Sequence, residues 1–178
     1  MKRKGFTLTE VLVILTILAV LAALLFPVLR RATERGKEVT CLSNFRQMHI
    51  ALELYRADYE GAGRYGEAAA MGMPPTTLWL IPYGYDPREM RCPGISFTNQ
   101  VERALYMEMW GGKDWVPTVT EFEDDTVIYI DLNHSFPGRS IYSESNTHRA
   151  IGLYLGGHIE TRIRTGSPDS LKWWSPSG

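Results

Sequence analysis

The sequence predicts an α+β protein: a long N-terminal α-helix, membrane-spanning in its first half, packed on a small antiparallel β-sheet head. Three observations predict it. Val11 to Leu29 carries no charge and one hydroxyl, Thr16. From Val39 to Tyr59 apolar residues recur at three- and four-residue steps. Late in the chain come short β-branched and aromatic runs, two of them separated by Gly156-Gly157.

The first run accounts for the membrane. At about 1.5 Å per residue it covers nearly the roughly 30 Å of a bilayer's hydrocarbon, and helix is the conformation in which one isolated segment satisfies its own backbone there. Pro27 removes one backbone donor and is expected to kink or loosen the helix near its exit. A cleaved secretory signal fits poorly, because Ala19 to Ala23 lacks the A-x-A spacing of a cleavage site. Basic residues lie on both sides of the span, Lys2, Arg3 and Lys4 before it and Arg30, Arg31, Arg35 and Lys37 after it, so charge bias alone does not orient it. Glu10 separates a specialised segment from a plain anchor. A carboxylate beside a membrane helix is costly unless it snorkels or meets a cation. Cleavage after Gly5 would create that cation as the free amine of Phe6, with Glu10 four positions on.

Lys4-Gly5-Phe6-Thr7-Leu8-Thr9-Glu10, followed by an unbroken apolar helix with a proline in its last third, resembles the N-terminus of type IV prepilins and of type II secretion pseudopilins. The resemblance implies a pilin-like fold and a membrane-embedded prepilin peptidase that cuts between Gly5 and Phe6 and methylates the new amine. It also implies that Glu10 pairs with a neighbouring subunit's N-terminus during assembly. Thr9 stands where a larger apolar residue is frequent in that family.

The helix is expected to continue outside the membrane to about Tyr59. Val39, Leu42, Phe45, Met48, Leu52, Tyr55 and Tyr59 form the face that packs on the head, and Gly61-Ala62-Gly63 supplies the stop. Cys41-Leu42-Ser43-Asn44 and the later Cys92-Pro93 resemble a second set of features, found in a large group of bacterial pilin-like proteins with a C-terminal His-x9-Asp-Gly signature. Here that signature is degenerate: Gly156 replaces the aspartate, and its separation from His148 is two residues short.

Between residues 61 and 100 the prolines at 74, 75, 82, 87 and 93 leave room for one short helix near Thr76 to Leu80 and otherwise for turns. Thr126 to Ile130, Ile151 to Leu155 and His158 to Arg164 read as strands, with Gly156-Gly157 as a hairpin turn and Ser140 to Ser143 as a candidate fourth strand. In the tail, Trp173-Trp174 must dock on the head or form an exposed apolar patch.

The formal net charge is −1, and loss of the basic leader makes the mature chain more acidic. Bulk electrostatic binding to nucleic acid is not expected; a basic stripe including Arg139, Arg149, Arg162 and Arg164 would favour it. Cys41 and Cys92 form either one disulfide or two buried thiols. No cofactor is expected. Two isolated cysteines make a poor metal site, and no spacing forces His134, His148 and His158 to converge with Asp131. Asp124, Asp125, Asp131 and Asn133 are weak calcium candidates that match no compact calcium loop. Gly111-Gly112-Lys113 lacks the remainder of a phosphate loop, and Ser135 and Ser140 beside His134 lack a nucleophile elbow.

These readings divide the chain into a leader at 1–5, a transmembrane and filament-core helix at 6–29, its amphipathic continuation at 30–60 and a head at 61–178. The expected protein is not an enzyme. It is a prepilin-type subunit held in the bacterial inner membrane by one span, with a periplasmic head, assembling with like subunits on an inner-membrane platform. Assembly would build a type II secretion pseudopilus; a major or minor type IV pilus subunit is the alternative, and a membrane-anchored periplasmic hydrolase a remote one.

Overall fold

Helix α1 runs from Leu8 to Tyr59, 52 residues, and continues through Pro27. The computed structural model describes residues 7–59, 66–90, 92–93, 107–132, 134 and 144–176. Two units make up the chain, residues 1–36 and residues 37–178. In the first, every described residue from Thr7 to Gly36 is exposed, Leu8, Leu24 and Phe26 among them. Such a surface suits lipid or other apolar helices rather than water. Its hydroxyls are internally satisfied: Thr16 Oγ1 donates to the Val13 carbonyl at 2.7 Å and Thr33 Oγ1 to that of Leu29 at 2.9 Å.

In the second unit, α1 buries Cys41, Asn44, Phe45, Met48, Ala51, Leu52 and Tyr55. The expected stripe is therefore corrected at its edges. Val39 and Tyr59 are 63% and 54% exposed, Leu42 is half-buried, and Cys41, Asn44 and Ala51 replace them. Helix geometry explains the change. Steps of three and four from Cys41 keep to one side, whereas Val39, two positions before it, lies about 200° round the axis. Tyr59 instead stacks on Tyr55 at 4.3 Å.

A 3-10 helix, Thr77–Tyr83, stands where a short helix was expected and ends at Gly84, whose positive φ of 93° closes the turn. Among the described residues the sheet has four antiparallel strands in chain order, β1 (Met107–Glu108), β2 (Val127–Asp131), β3 (Thr147–Tyr154) and β4 (Ile159–Thr165). The three expected strands correspond to β2, β3 and β4. β3 begins earlier than expected, because Thr147 to Ala150 alternate partly buried and buried positions although the first three of these residues are polar. The proposed strand at Ser140 to Ser143 and the stop at Gly61 to Gly63 lie outside the described residues.

Two helices were not expected from sequence: α2 (Trp115–Phe122), which buries only Trp115 and Val119, and α3 (Leu171–Trp174). α3 brings Trp173 and Trp174 onto the head, both buried, resolving the choice between docking and exposure. Trp174 lies against Gly152 of β3, where a Cβ would come within 2.6 Å of its ring. Its indole Nε1 donates to the Pro168 carbonyl at 2.8 Å.

At the β3–β4 hairpin, Gly157 adopts φ 85° and donates to the Tyr154 carbonyl at 2.9 Å, so the Gly156-Gly157 turn forms as expected. A Cβ at Gly157 would overlap the imidazole of His49 on α1. Burial pushes the His49 pKa below its ordinary 6.5; Glu53 opposes that shift and Arg56 adds to it. With the folded value depressed, the unfolded chain binds the extra proton first. The neutral imidazole therefore contributes stability above about pH 6.5, which is lost as pH falls through the depressed value. Between about pH 7.5 and about pH 5.5, wild type is expected to lose more thermal stability than His49→Gln. Parallel losses in the two proteins would remove this assignment.

Candidate functional site

Among the described residues, two places concentrate chemistry. The first is the start of α1. Thr7 and Glu10 form a reciprocal cap: the Thr7 backbone N–H donates to Glu10 Oε2 at 2.8 Å, its hydroxyl donates to the same oxygen at 2.7 Å, and the Glu10 N–H donates back to Thr7 Oγ1 at 3.3 Å. This is the T-x-x-E capping box, which satisfies backbone donors that a helix start otherwise leaves open. It assigns Glu10 a local role beside the one that resemblance implies. Gly5 and Phe6 lie outside the described residues. Pro27 sits within the exposed helix.

The second place is buried, where the first turns of the packed part of α1 meet the end of β2. Cys41 and Cys92 are both buried, and no disulfide joins them. They lie together: His134 Nε2 is 3.2 Å from Cys41 Sγ and 3.3 Å from Cys92 Sγ. The same nitrogen is 3.6 Å from Asp131 Oδ2, and the side chains of that pair are 5% and 0% exposed. One ligand atom from each of Cys41, Cys92, Asp131 and His134 falls within 4.8 Å of all the others. A hydrogen bond with Cys92 draws the Cys41 thiol down to about 7; burial opposes this, and His134 assists. For His134, burial pushes the imidazole down, but its hydrogen bond to Cys41 Sγ and the Asp131 charge, which favour the imidazolium, outweigh burial and raise its pKa.

Other candidates are placed apart. Asp124 and Asp125 stand before β2 and Asp131 at its far end, about 20 Å away at strand rise. They do not form one calcium site; Asn133 lies outside the described residues. His148 pairs with Arg164 at the open end of the β3–β4 ladder, whereas His158 lies at the hairpin end, stacked on Tyr154 at 4.2 Å. His134 meets Asp131, whereas His158 lies at the opposite end of the sheet, so the three histidines do not all converge.

The described arginines of the candidate basic stripe each have a partner within the chain. Arg162 donates to the Trp174 carbonyl and, at 3.3 Å, to that of Ser175; Arg164 donates to the Trp173 carbonyl at 2.9 Å. Arg149 pairs with Glu38. These cations hold the end of α3 and the flank of α1, as guanidinium groups do at helix C-termini. Arg139 lies outside the described residues. Sequence reasoning missed the four-residue cluster because its cysteines come from distant segments; only Asp131-x-x-His134 is a local signal.

Against this geometry, residues 1–26 match the family model described as the prokaryotic N-terminal methylation motif. No curated protein and no solved structure matches the chain. The match covers the basic leader, the Gly5-Phe6 junction, Glu10 and most of the apolar run, and it supports a membrane-anchored protein of the prepilin type. With its long apolar helix and small antiparallel sheet, the chain has the α+β layout of a pilin, and its N-terminal segment is a prepilin-type methylation motif.

Proposed function

We propose that this chain is a filament subunit, cleaved after Gly5 by a prepilin peptidase, methylated at Phe6 and assembled with like subunits into a type II secretion pseudopilus. The observation that carries this reading is the pairing of the methylation motif with a helix whose first part, through Gly36, is apolar in its span and wholly exposed. In a membrane that surface meets lipid. In a filament it meets the same helix of other subunits, and assembly exchanges one apolar surrounding for another. The head stays outside the cytoplasm, and the function is structural rather than catalytic; the motif supports membrane anchoring and the structural role. The leader at 1–5, the core helix at 6–29, its continuation at 30–60 and the head at 61–178 are the working parts.

Intact mass spectrometry of sheared filaments and of washed membranes tests the reading. A chain beginning at methylated Phe6 is expected in membranes, with little in the sheared fraction. The same mature chain abundant on sheared surface filaments would replace the pseudopilus with a type IV pilus. An intact Met1 chain in every fraction would overturn the subunit reading altogether. Gly5→Leu is expected to retain its leader completely, since the glycine stands at the cleaved bond; a normally trimmed variant would remove the peptidase from the account.

A further inference from the structure

We propose that Cys41, Cys92, Asp131 and His134 form a tetrahedral structural site for a zinc-class divalent cation, joining helix α1 to the end of β2. The proposal rests on these four side chains alone and is independent of the filament reading.

Four donors of the right kind converge: two thiol sulfurs, one imidazole nitrogen and one carboxylate oxygen. Zinc takes sulfur at about 2.3 Å and nitrogen or oxygen at about 2.0–2.2 Å in tetrahedral geometry, which places neighbouring ligand atoms about 3.3–3.7 Å apart. His134 Nε2 lies 3.2 and 3.3 Å from the two sulfurs and 3.6 Å from Asp131 Oδ2. All six pairwise separations fall within 4.8 Å.

A Cys41–Cys92 disulfide is the competing chemistry. It would account for the two sulfurs, but not for the convergence of the buried Asp131 carboxylate and the His134 imidazole on them. A divalent cation would take one ligand atom from each of these four converging side chains. The donor set also selects the metal class. Thiolate with imidazole favours zinc over the hard cations calcium and magnesium, and four protein ligands leave no open position, as in structural sites. Cys41 lies on α1, Cys92 in the segment after the 3-10 helix, and Asp131 and His134 at and beyond the end of β2. One ion thus fastens three segments that are distant in sequence, and its binding energy becomes folding energy.

The test uses the full chain, extracted in mild detergent without chelators. Elemental analysis is expected to give about one zinc per chain, with native mass spectrometry showing both thiols and the ion together. After anaerobic reduction and metal removal, titration with cobalt(II) is expected to produce the thiolate-to-cobalt charge-transfer band and the intense visible bands of tetrahedral cobalt. Cys92→Ser is expected to lose the charge-transfer intensity, and His158→Ala, at the distant hairpin, to retain it. Because wild type alone gives the cobalt spectrum, unfolding of a cysteine variant does not shield the proposal. It is overturned by reduced wild type that binds neither zinc nor cobalt, by cobalt bands that survive Cys92→Ser unchanged, or by a metal-free native chain carrying a Cys41–Cys92 disulfide.

Discussion

Glu10→Gln is expected to insert into the membrane and begin its helix normally, yet to enter filaments on the order of tenfold less than wild type, as Glu10→Ala does. The comparison is informative because of the capping box. Glutamine can accept the Thr7 N–H in place of the carboxylate, so it preserves the local contacts at 2.7 and 2.8 Å while removing the charge. Alanine removes both. If Glu10 acts by neutralising a subunit's N-terminal amine in an apolar surrounding, the two variants fail together, since the amine is left without its counter-charge. If Glu10 serves only as a helix cap, Glu10→Gln assembles like wild type. Quantifying each variant in purified filaments that also contain tagged wild type decides between them.

The second large effect lies in the head, where Gly152 and Trp174 share one space. Trp174→Ala is expected to destabilise the head by about 3–5 kcal/mol, the range for a buried large aromatic, a large share of the roughly 5–15 kcal/mol that holds a domain together. Gly152→Ala is expected to cost about 1–3 kcal/mol alone, as overpacking does. The new Cβ would stand 2.6 Å from the Trp174 ring. In the Trp174→Ala background that collision is gone, and Gly152→Ala should cost little. Urea midpoints of the four proteins, followed by near-ultraviolet circular dichroism, form the cycle; additive losses would show that glycine and indole are not coupled.

Legibility in the sequence followed the distance over which each signal acts. The apolar span, the hairpin at Gly156-Gly157 and the three longer strands depend on neighbours a few residues apart, and each was readable. β1 has only two residues and α2 buries only Trp115 and Val119, too few for a period to emerge. The helix stripe was right in kind but displaced at its ends, because apolar character at Val39 and Tyr59 does not report what faces them. Arg162 and Arg164 read as solvent-facing cations, but their partners are backbone carbonyls of α3 and just beyond it, which carry no residue name. The Cys41, Cys92, Asp131 and His134 cluster was the least legible feature. Its members are assembled by tertiary packing, and no local spacing announces them. The capping box at Thr7 and Glu10 was readable as T-x-x-E, but stood inside a motif that already gave the glutamate another explanation.

The close approach of Gly157 to His49 works as a key in a keyway. Turning the packed part of α1 by one residue, about 100°, would bring Met48 or Ile50 under the hairpin tip instead of His49. Neither branched nor unbranched apolar chains match the flat imidazole that the bare glycine accommodates. The turn therefore indexes the angular setting of the helix against the sheet. Variation at either position should be tolerated only when the other changes to suit it, so the fit acts as a joint constraint on two sites more than a hundred positions apart in the chain.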